Sequence, residues 1–221
     1  MSHSVHPYSH RLGIIRDWKS RWFGVPGKYQ GYLNSDIVIR EFLQKRLHGQ
    51  YVGGVEIERG SNSLKIIIKT SKVGMLIGRS GDGAVKLKDE ILAKMKRAKV
   101  TIPKDIKVEV EEIRFPETSA SLVGQMCAEG LEKRLPFMRV MKGAVEKTMA
   151  NREAKGIRIT MSGRLGGADM SRVETVKNGR LPLQTLRADI DFAREKAHLP
   201  YGDIGIKVWI YKGEIFEKAK K

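Results

Sequence analysis

The chain has 221 residues and a formal net charge of +17 at pH 7. Hydrophobic residues make up 41% of it, which is enough for a buried core and excludes a disordered basic tail. Basic residues exceed acidic ones in each of the stretches 1–50, 51–112 and 113–221, which indicates a folded protein that meets a polyanion over much of its surface. The single cysteine, Cys127, excludes an internal disulfide and indicates a reducing compartment.

No segment predicts a secretory leader or a membrane anchor. The N-terminus lacks an apolar signal segment, and no run approaches the roughly 20 apolar residues that a membrane-spanning helix needs. We therefore expect a cytoplasmic protein without a membrane partner.

Residues 1–33 are predicted to form a polar, basic N-terminal arm. We expect four of its cations to contact RNA: Arg11, Arg16, Lys19 and Arg21. Trp18, Trp22 and Phe23 lie among these cations, and such aromatic residues suit either base stacking or packing inside the protein.

Residues 34–113 show helical and strand patterns in a defined order. A helix is predicted over 35–47, with Asn34 or Ser35 as its cap. Two strands with a turn at 60–63 follow, and a third strand is predicted near 106–110. A short apolar helix, a glycine loop and an amphipathic helix lie between the second and third strands. The apolar residues that carry these patterns are Ile39, Leu43, Val55, Ile57, Leu64, Ile66, Ile68, Leu87, Ile91, Met95, Ile106, Val108 and Val110.

The most informative segment is 73–82, in which Gly78 and Gly81 bracket Arg79 and Ser80 between two predicted helices. Glycine lets the backbone approach a sugar-phosphate chain closely, and the amides that begin the next helix then face the phosphates. A KH domain holds about four single-stranded nucleotides with this geometry. The flanking order of elements resembles the type II KH fold over about 34–112. We therefore predict that these four residues bind RNA.

Residues 114–213 are predicted to form a second domain, with a boundary at Phe115-Pro116 because the residue before a proline is biased away from helix. Apolar periodicity predicts two helices and then four strands. The helices are expected at 119–134 and 136–155, and the strands at 157–162, 171–179, 184–192 and 204–212. A short basic tail, 214–221, follows. The predicted fold class is α+β, with an N-terminal type II KH domain and a C-terminal domain of two helices and a four-stranded sheet.

Several phrases resemble the family of protein 3 of the bacterial small ribosomal subunit. They lie at 6–7, 11–14, 18, 22–23, 77–81, 162–168, 183–191 and 201–210. The similarity runs in order from about residue 5 to 215. The phrases at 162–168 and 183–191 are much more specific to this family than the glycine loop is.

The resemblance implies a structural constituent of the small-subunit head that binds 16S-type ribosomal RNA. It also implies contacts with messenger RNA at the entrance of its channel and with neighbouring small-subunit proteins, among them proteins 10 and 14. By the same resemblance, cations at the second helix of the C-terminal domain meet messenger RNA and assist its unwinding; these are Lys133, Arg134, Arg139 and Lys142. Met138 stands where a further arginine is expected, and Gly143 where a basic residue is common, which leaves the strength of unwinding open.

The alternative to a ribosomal protein is a free-standing KH regulator or a ribosome assembly factor. Basicity along the whole chain and the C-terminal phrases favour the ribosomal interpretation.

An enzyme would need a nucleophile or a metal cluster that converges in a cleft. Asp189 and Asp191 could suggest a magnesium site, but Arg187 lies on the same predicted strand face and favours an ion pair. The histidines at positions 3, 6 and 10 favour RNA or protein contact over a metal. We therefore predict a protein that is not an enzyme and that needs no metal or cofactor.

Overall fold

The structure is a computed structural model that describes residues 5–60, 62–78, 81–103 and 105–216. The helices are α1 (Pro7–His10), α2 (Pro26–Arg46), α3 (Val73–Ile77), α4 (Asp82–Arg97), α5 (Ala120–Glu132) and α6 (Phe137–Ala150). The strands are β1 (Ser20–Arg21), β2 (Val52–Arg59), β3 (Ser63–Thr70), β4 (Asp105–Glu112), β5 (Gly156–Gly163), β6 (Arg172–Gly179), β7 (Ala188–Leu199) and β8 (Gly202–Glu214). None of the helices in the described ranges is long and apolar enough to span a membrane.

The chain divides into two compact units. The KH unit is Trp18–Arg114, and the C-terminal unit combines the described parts of Met1–Asp17 and Phe115–Lys221. The predicted N-terminal arm is therefore shared between the two units, because residues 5–17 group with the C-terminal unit and residues 18–33 with the KH unit.

The KH unit is a four-stranded sheet covered by helices. Its strand order is β1-β2-β3-β4, in which β2 and β3 are antiparallel and the two outer pairs are parallel. Ile66 of β3 lies in one core with Ile39 and Leu43 of α2 and with Ile91 and Met95 of α4, and each of these side chains is at most 1% exposed. The predicted order of elements and their apolar faces are confirmed.

The first long helix starts nine residues earlier than predicted. α2 begins at Pro26, where a proline suits the first helical position because the missing N–H has no intrahelical partner there. Ser35 is therefore not a cap. Ser35 lies within α2 and is buried, and its hydroxyl donates to the carbonyl of Gly31 at 2.8 Å.

A polar cluster anchors the early turns of α2. The indole N–H of Trp22 donates to Asp36 at 2.8 Å, and its ring contacts those of Tyr29 and Tyr32. Arg59 also donates to Asp36, at 3.0 Å, and both side chains of this pair are less than 5% exposed. Trp22 thus packs within the KH unit, which decides between the two roles that the sequence left open for it.

The C-terminal unit is an antiparallel sheet of order β6-β5-β8-β7 with α5 and α6 in its core on one face. Val123, Cys127, Met141, Ile159 and Val208 are all at most 1% exposed in that core. Burial raises the pKa of the Cys127 thiol to about 12, so this residue is a core thiol and not a nucleophile. The predicted architecture of two helices and four strands is confirmed.

Candidate nucleic-acid interface

The glycine loop lies between α3 and α4. Gly78 has φ +69° and Gly81 has φ +86°, in the left-handed region where side chains other than that of glycine are strained. These two predicted residues therefore have the backbone geometry that the motif requires. Arg79 and Ser80, the other two predicted residues of the loop, lie outside the described residues.

A third glycine brings the two helices together, and our sequence analysis did not single it out. A Cβ on Gly83 would lie 2.3 Å from the carbonyl oxygen of Leu76 and 2.8 Å from that of Ile77. No side chain fits there, because the obstacle is the backbone of α3. The available signal was a glycine two positions after the motif, in an otherwise helical pattern.

The start of α4 is open to an anion. Its N-cap is Gly81, and no side chain of the described residues caps the first amides, so these donors can meet an external acceptor such as a phosphate. Met75 in α3 and Val85 in α4 are each 60% exposed. They offer apolar contact area on the helices at both sides of the loop.

The four cations predicted for the second C-terminal helix occupy two different elements. Lys133 is the C-cap of α5, and Arg134 follows it with φ +60°, so both lie in the turn between α5 and α6 and not on the predicted helix. Lys133 also pairs with Glu129 one turn earlier. Arg139 and Lys142 lie on α6 as predicted and are exposed.

Arg139 and Lys142 have no ion pair or hydrogen bond from their side chains to any residue that the structure describes. Glu146 lies one turn after Lys142 on α6, but these two described side chains do not form an ion pair. Arg139 also lines a cavity of about 320 Å³ between α5 and α6, together with Cys127 and Val140. Two unpaired cations three positions apart on one helix face can contact phosphates.

Arg11, predicted to contact RNA, is instead buried inside the C-terminal unit with no exposed surface. Its guanidinium donates to the carbonyls of Pro7 at 3.0 Å, Leu183 at 2.9 Å, Thr185 at 2.8 Å and Ala188 at 2.7 Å. Burial lowers its pKa from the usual arginine value. The side chain is not available to RNA in this fold, so that prediction is corrected. The carbonyls of Leu183 and Thr185 are held by Arg11 before β7 begins at Ala188, four residues later than predicted.

Two further arm cations are engaged in ion pairs. Arg16 contacts Asp189 at 2.5 Å. Arg21 contacts Glu56 at 2.9 Å and Glu58 at 2.8 Å, and all three of these side chains are partly exposed. Their charges are partly neutralised within the protein, which weakens them as phosphate contacts.

Other residues of the N-terminal arm are exposed to solvent. Lys19 is exposed, Trp18 is 63% exposed and Phe23 is 90% exposed. Phe23 follows the packed Trp22 directly, so one aromatic residue of the pair points into the unit and the next reaches solvent. Lys19 is thus the arm cation whose exposed position best fits the predicted RNA contact.

The aspartates considered for magnesium have other partners. Asp191 accepts the backbone N–H of Ala120 at 2.9 Å and so caps the first turn of α5. Arg187 pairs with Glu214 and not with Asp189, so the predicted partner of this ion pair is wrong. Among the described residues, no group of three or more histidine, cysteine, aspartate or glutamate residues could hold a metal ion.

A KH unit with a glycine loop between two helices, followed by a helix-covered sheet with exposed cations, defines a two-domain RNA-binding protein. The family model of the KH domain matches residues 38–118, and that of ribosomal protein S3, C-terminal domain, matches residues 127–210. Small ribosomal subunit protein uS3 of Caldicellulosiruptor saccharolyticus is 45% identical over 215 residues, which cover 97% of this chain and 94% of that protein. The chain belongs to the family of small ribosomal subunit protein uS3.

Other relatives with the same name support this membership. The protein of Clostridium novyi is 41% identical over 220 residues, covering 100% of this chain and 96% of the relative. That of Coxiella burnetii is 44% identical over 215 residues, covering 97% and 91%. The similarity therefore includes both units and the N-terminal segment.

Proposed function

We propose that this chain is a structural protein of the small ribosomal subunit in cytoplasmic ribosomes. The observation that carries the proposal is 45% identity to a small ribosomal subunit protein over 97% of the chain. The net charge of +17 supports it, because ribosomal RNA is the polyanion that such a surface suits. Its partners would be 16S-type ribosomal RNA and neighbouring small-subunit proteins, with proteins 10 and 14 among them. No catalytic role is proposed.

Within this function, the glycine loop is proposed to hold an RNA backbone. Gly78 and Gly81 supply the left-handed turns, and the start of α4, which no described side chain caps, supplies amide donors. Arg79 and Ser80 belong to the same proposal by their place in the motif. An RNA contact here would be made mainly with phosphate and ribose.

We also propose that the C-terminal unit faces messenger RNA at the entrance of its channel. Arg139 and Lys142 of α6 are exposed and form no ion pair with the described residues, so they would attract the incoming phosphates, with Arg134 and Lys133 in the preceding turn as weaker contributors. Met138 is 39% exposed on the same helix and adds no charge. Arg139 and Lys142, three positions apart on this helix, support a modest contribution to unwinding.

Sedimentation tests the ribosomal proposal directly. We expect the tagged full chain to sediment with small subunits in a sucrose gradient at low salt and also after a high-salt wash. An integral subunit protein is held by many contacts, whereas purely electrostatic adsorption falls steeply with salt. Release into the light fractions after the wash would contradict the proposal and favour a free-standing KH regulator or an assembly factor.

A double substitution tests the proposed role at the channel entrance. We expect Arg139→Ala with Lys142→Ala to leave incorporation intact and to slow translation through a structured messenger by about fivefold, equivalent to about 1 kcal/mol of lost phosphate attraction. Translation of an unstructured messenger should stay unchanged. Lys147→Ala with Arg152→Ala is the matched control, since it removes the same charge at the end of α6 and just beyond it. Loss of incorporation would show instead that Arg139 and Lys142 are assembly contacts.

A further inference from the structure

The basic and acidic side chains of the C-terminal sheet lie mostly on different faces of the sheet. Successive side chains of a strand point to opposite faces, so one face of this sheet carries the core beneath α5 and α6 and the other carries the alternate residues. Five cations lie on the face opposite the helices, and we call their surface the cationic sheet face. They are Arg158 of β5, Lys177 of β6, Arg194 and Lys196 of β7, and Lys207 of β8.

The strand register brings these cations together. Arg158 is paired with Lys177 of β6 on one side and with Trp209 of β8 on the other. Lys207 is paired with Arg194 of β7, one row further along the sheet. Neighbouring rows on one face are two residues apart, or about 7 Å, and neighbouring strands are about 5 Å apart. The cations thus form a compact cluster across all four strands.

Three acidic residues of the same strands, Asp191, Glu195 and Glu174, lie on the helix face. Asp191 caps α5, and Glu195 accepts the Ser121 hydroxyl of α5 at 3.3 Å. Glu174 alternates with residues of the cationic sheet face and so points the other way. Within 156–163, 172–179, 192–199 and 202–209, the one acid on the cationic sheet face is Asp203, at its end, where it contacts His198 at 2.8 Å. The face is therefore strongly positive.

Aromatic rings support the two arginines. The guanidinium of Arg158 lies 5.1 Å from the ring centroid of Trp209, and that of Arg194 lies 5.5 Å from that of Phe192. Trp209 is only 9% exposed, so its ring is not open to a nucleobase. Such stacking holds the guanidinium groups in place, which lowers the entropy that they lose on binding a ligand.

None of the five cations forms an ion pair or a side-chain hydrogen bond with the part of the chain that the structure describes. Lys177, Arg194, Lys196 and Lys207 are exposed, and Arg158 is half-buried. Five positive charges without nearby compensation repel one another, and a polyanion removes this repulsion as it binds. The complementary ligand is a chain of closely spaced negative charges.

We propose that the cationic sheet face is a second RNA-binding surface that holds the sugar-phosphate backbone. The inference rests on the proposed function, since that function makes ribosomal RNA the polyanion that the C-terminal unit meets. Lysines and arginines on a rigid sheet neutralise phosphates and release their counterions. Because the Trp209 ring is covered, the surface contacts phosphates and not bases. Its binding is therefore independent of the RNA sequence.

The test compares two triple variants of the full chain that lose the same charge. One carries Lys177→Gln, Lys196→Gln and Lys207→Gln on the cationic sheet face. The control carries Lys45→Gln, Lys94→Gln and Lys96→Gln, which are exposed residues of α2 and α4. The probe is an RNA duplex of about 20 base pairs, roughly two helical turns, in two unrelated sequences and over a range of salt concentrations.

The slope of log K against log salt concentration, where K is the association constant for duplex RNA, is negative. We expect the sheet variant to make this slope shallower by about 2 to 3, which corresponds to the loss of about three phosphate contacts. The control should change it by less than about 1, and both sequences should behave alike. Equal loss in the two variants would overturn the proposal, because only net charge would then matter. Polyglutamate is the second probe. Loss of polyglutamate binding without loss of RNA binding would also overturn the proposal, in favour of an acidic protein surface.

Folding and the ribosomal proposal are checked separately. The substituted lysines are exposed, so both variants should melt within about 2 °C of the wild type. A wild-type chain that fails to sediment with small subunits counts against the proposed function. A wild-type chain that sediments with them, while the sheet variant binds duplex RNA like the control, counts against the cationic sheet face alone.

Discussion

Arg11→Ala is expected to destabilise the C-terminal unit by about 3–5 kcal/mol, because hydrogen bonds from a charged donor are lost and buried carbonyls are left unpaired. The four acceptors lie in two stretches of chain, at Pro7 and at 183–188, so the guanidinium ties the N-terminal segment to the residues that lead into β7 and to its first residue. The side chain is fully buried, so removing it also leaves a cavity. An exposed RNA-contacting arginine would show almost no such effect.

Urea denaturation followed by circular dichroism measures this loss, and hydrogen exchange of residues 183–199 locates it. Arg11→Lys should fall between the alanine variant and the wild type, since one ammonium group keeps the charge but cannot reach all four carbonyls. Arg152→Ala, which removes an exposed arginine of the same unit, should stay within about 0.5 kcal/mol of the wild type. An Arg11→Ala protein as stable as the Arg152→Ala control would refute the assigned role.

Gly83→Ala is expected to destabilise the KH unit by about 2–3 kcal/mol and to weaken binding of single-stranded RNA. The new Cβ would meet the carbonyl oxygens of Leu76 and Ile77 at 2.3 Å and 2.8 Å. Backbone atoms cannot rotate away as the end of a side chain can, so α3 and α4 must separate. Separation of these helices changes the loop between Gly78 and Gly81, which is the proposed RNA contact.

Gly74→Ala is the matched control, because it makes the same chemical change in α3 of the same helical pair. Nothing lies within 4 Å of a Cβ at Gly74, so alanine should be neutral or stabilise the helix by about 0.5–1 kcal/mol. Thermal unfolding and fluorescence anisotropy with a single-stranded RNA compare the two variants. If Gly83→Ala matched Gly74→Ala in both measurements, the close approach of α3 and α4 would have no energetic consequence.

Periodic patterns predicted the elements that have one apolar face. Ile91 and Met95 repeat at helical spacing in α4, and Ile204 and Ile206 alternate in β8, and all four are buried as expected. The start of α2 was missed, since Gly27 and Gly31 interrupt its apolar pattern. The early turns of this helix are held by Trp22 and Asp36 across a loop, a contact that no local pattern shows.

The glycine loop was recognisable because its requirement is local. A left-handed backbone at Gly78 and Gly81 depends on those residues themselves, so the motif appears in the sequence. The need for Gly83 depends on the distance between two helices, which only the folded chain defines. Similarly, the cations of the cationic sheet face were visible as lysines and arginines, but their assembly on one face depends on the strand register.

Local patterns in the sequence were enough to predict the fold class, the order of elements, the glycine loop and the positive charge, and its phrases indicated the family. These features follow from neighbouring residues, because burial of one face imposes a period on the chain. Which cations remain exposed depends on the folded chain. Arg11 and Lys19 look equivalent in the sequence, yet Arg11 bonds to a carbonyl 177 positions away and is buried, while Lys19 is exposed. The partner of a charged side chain is set by distance in space, which the local sequence does not contain.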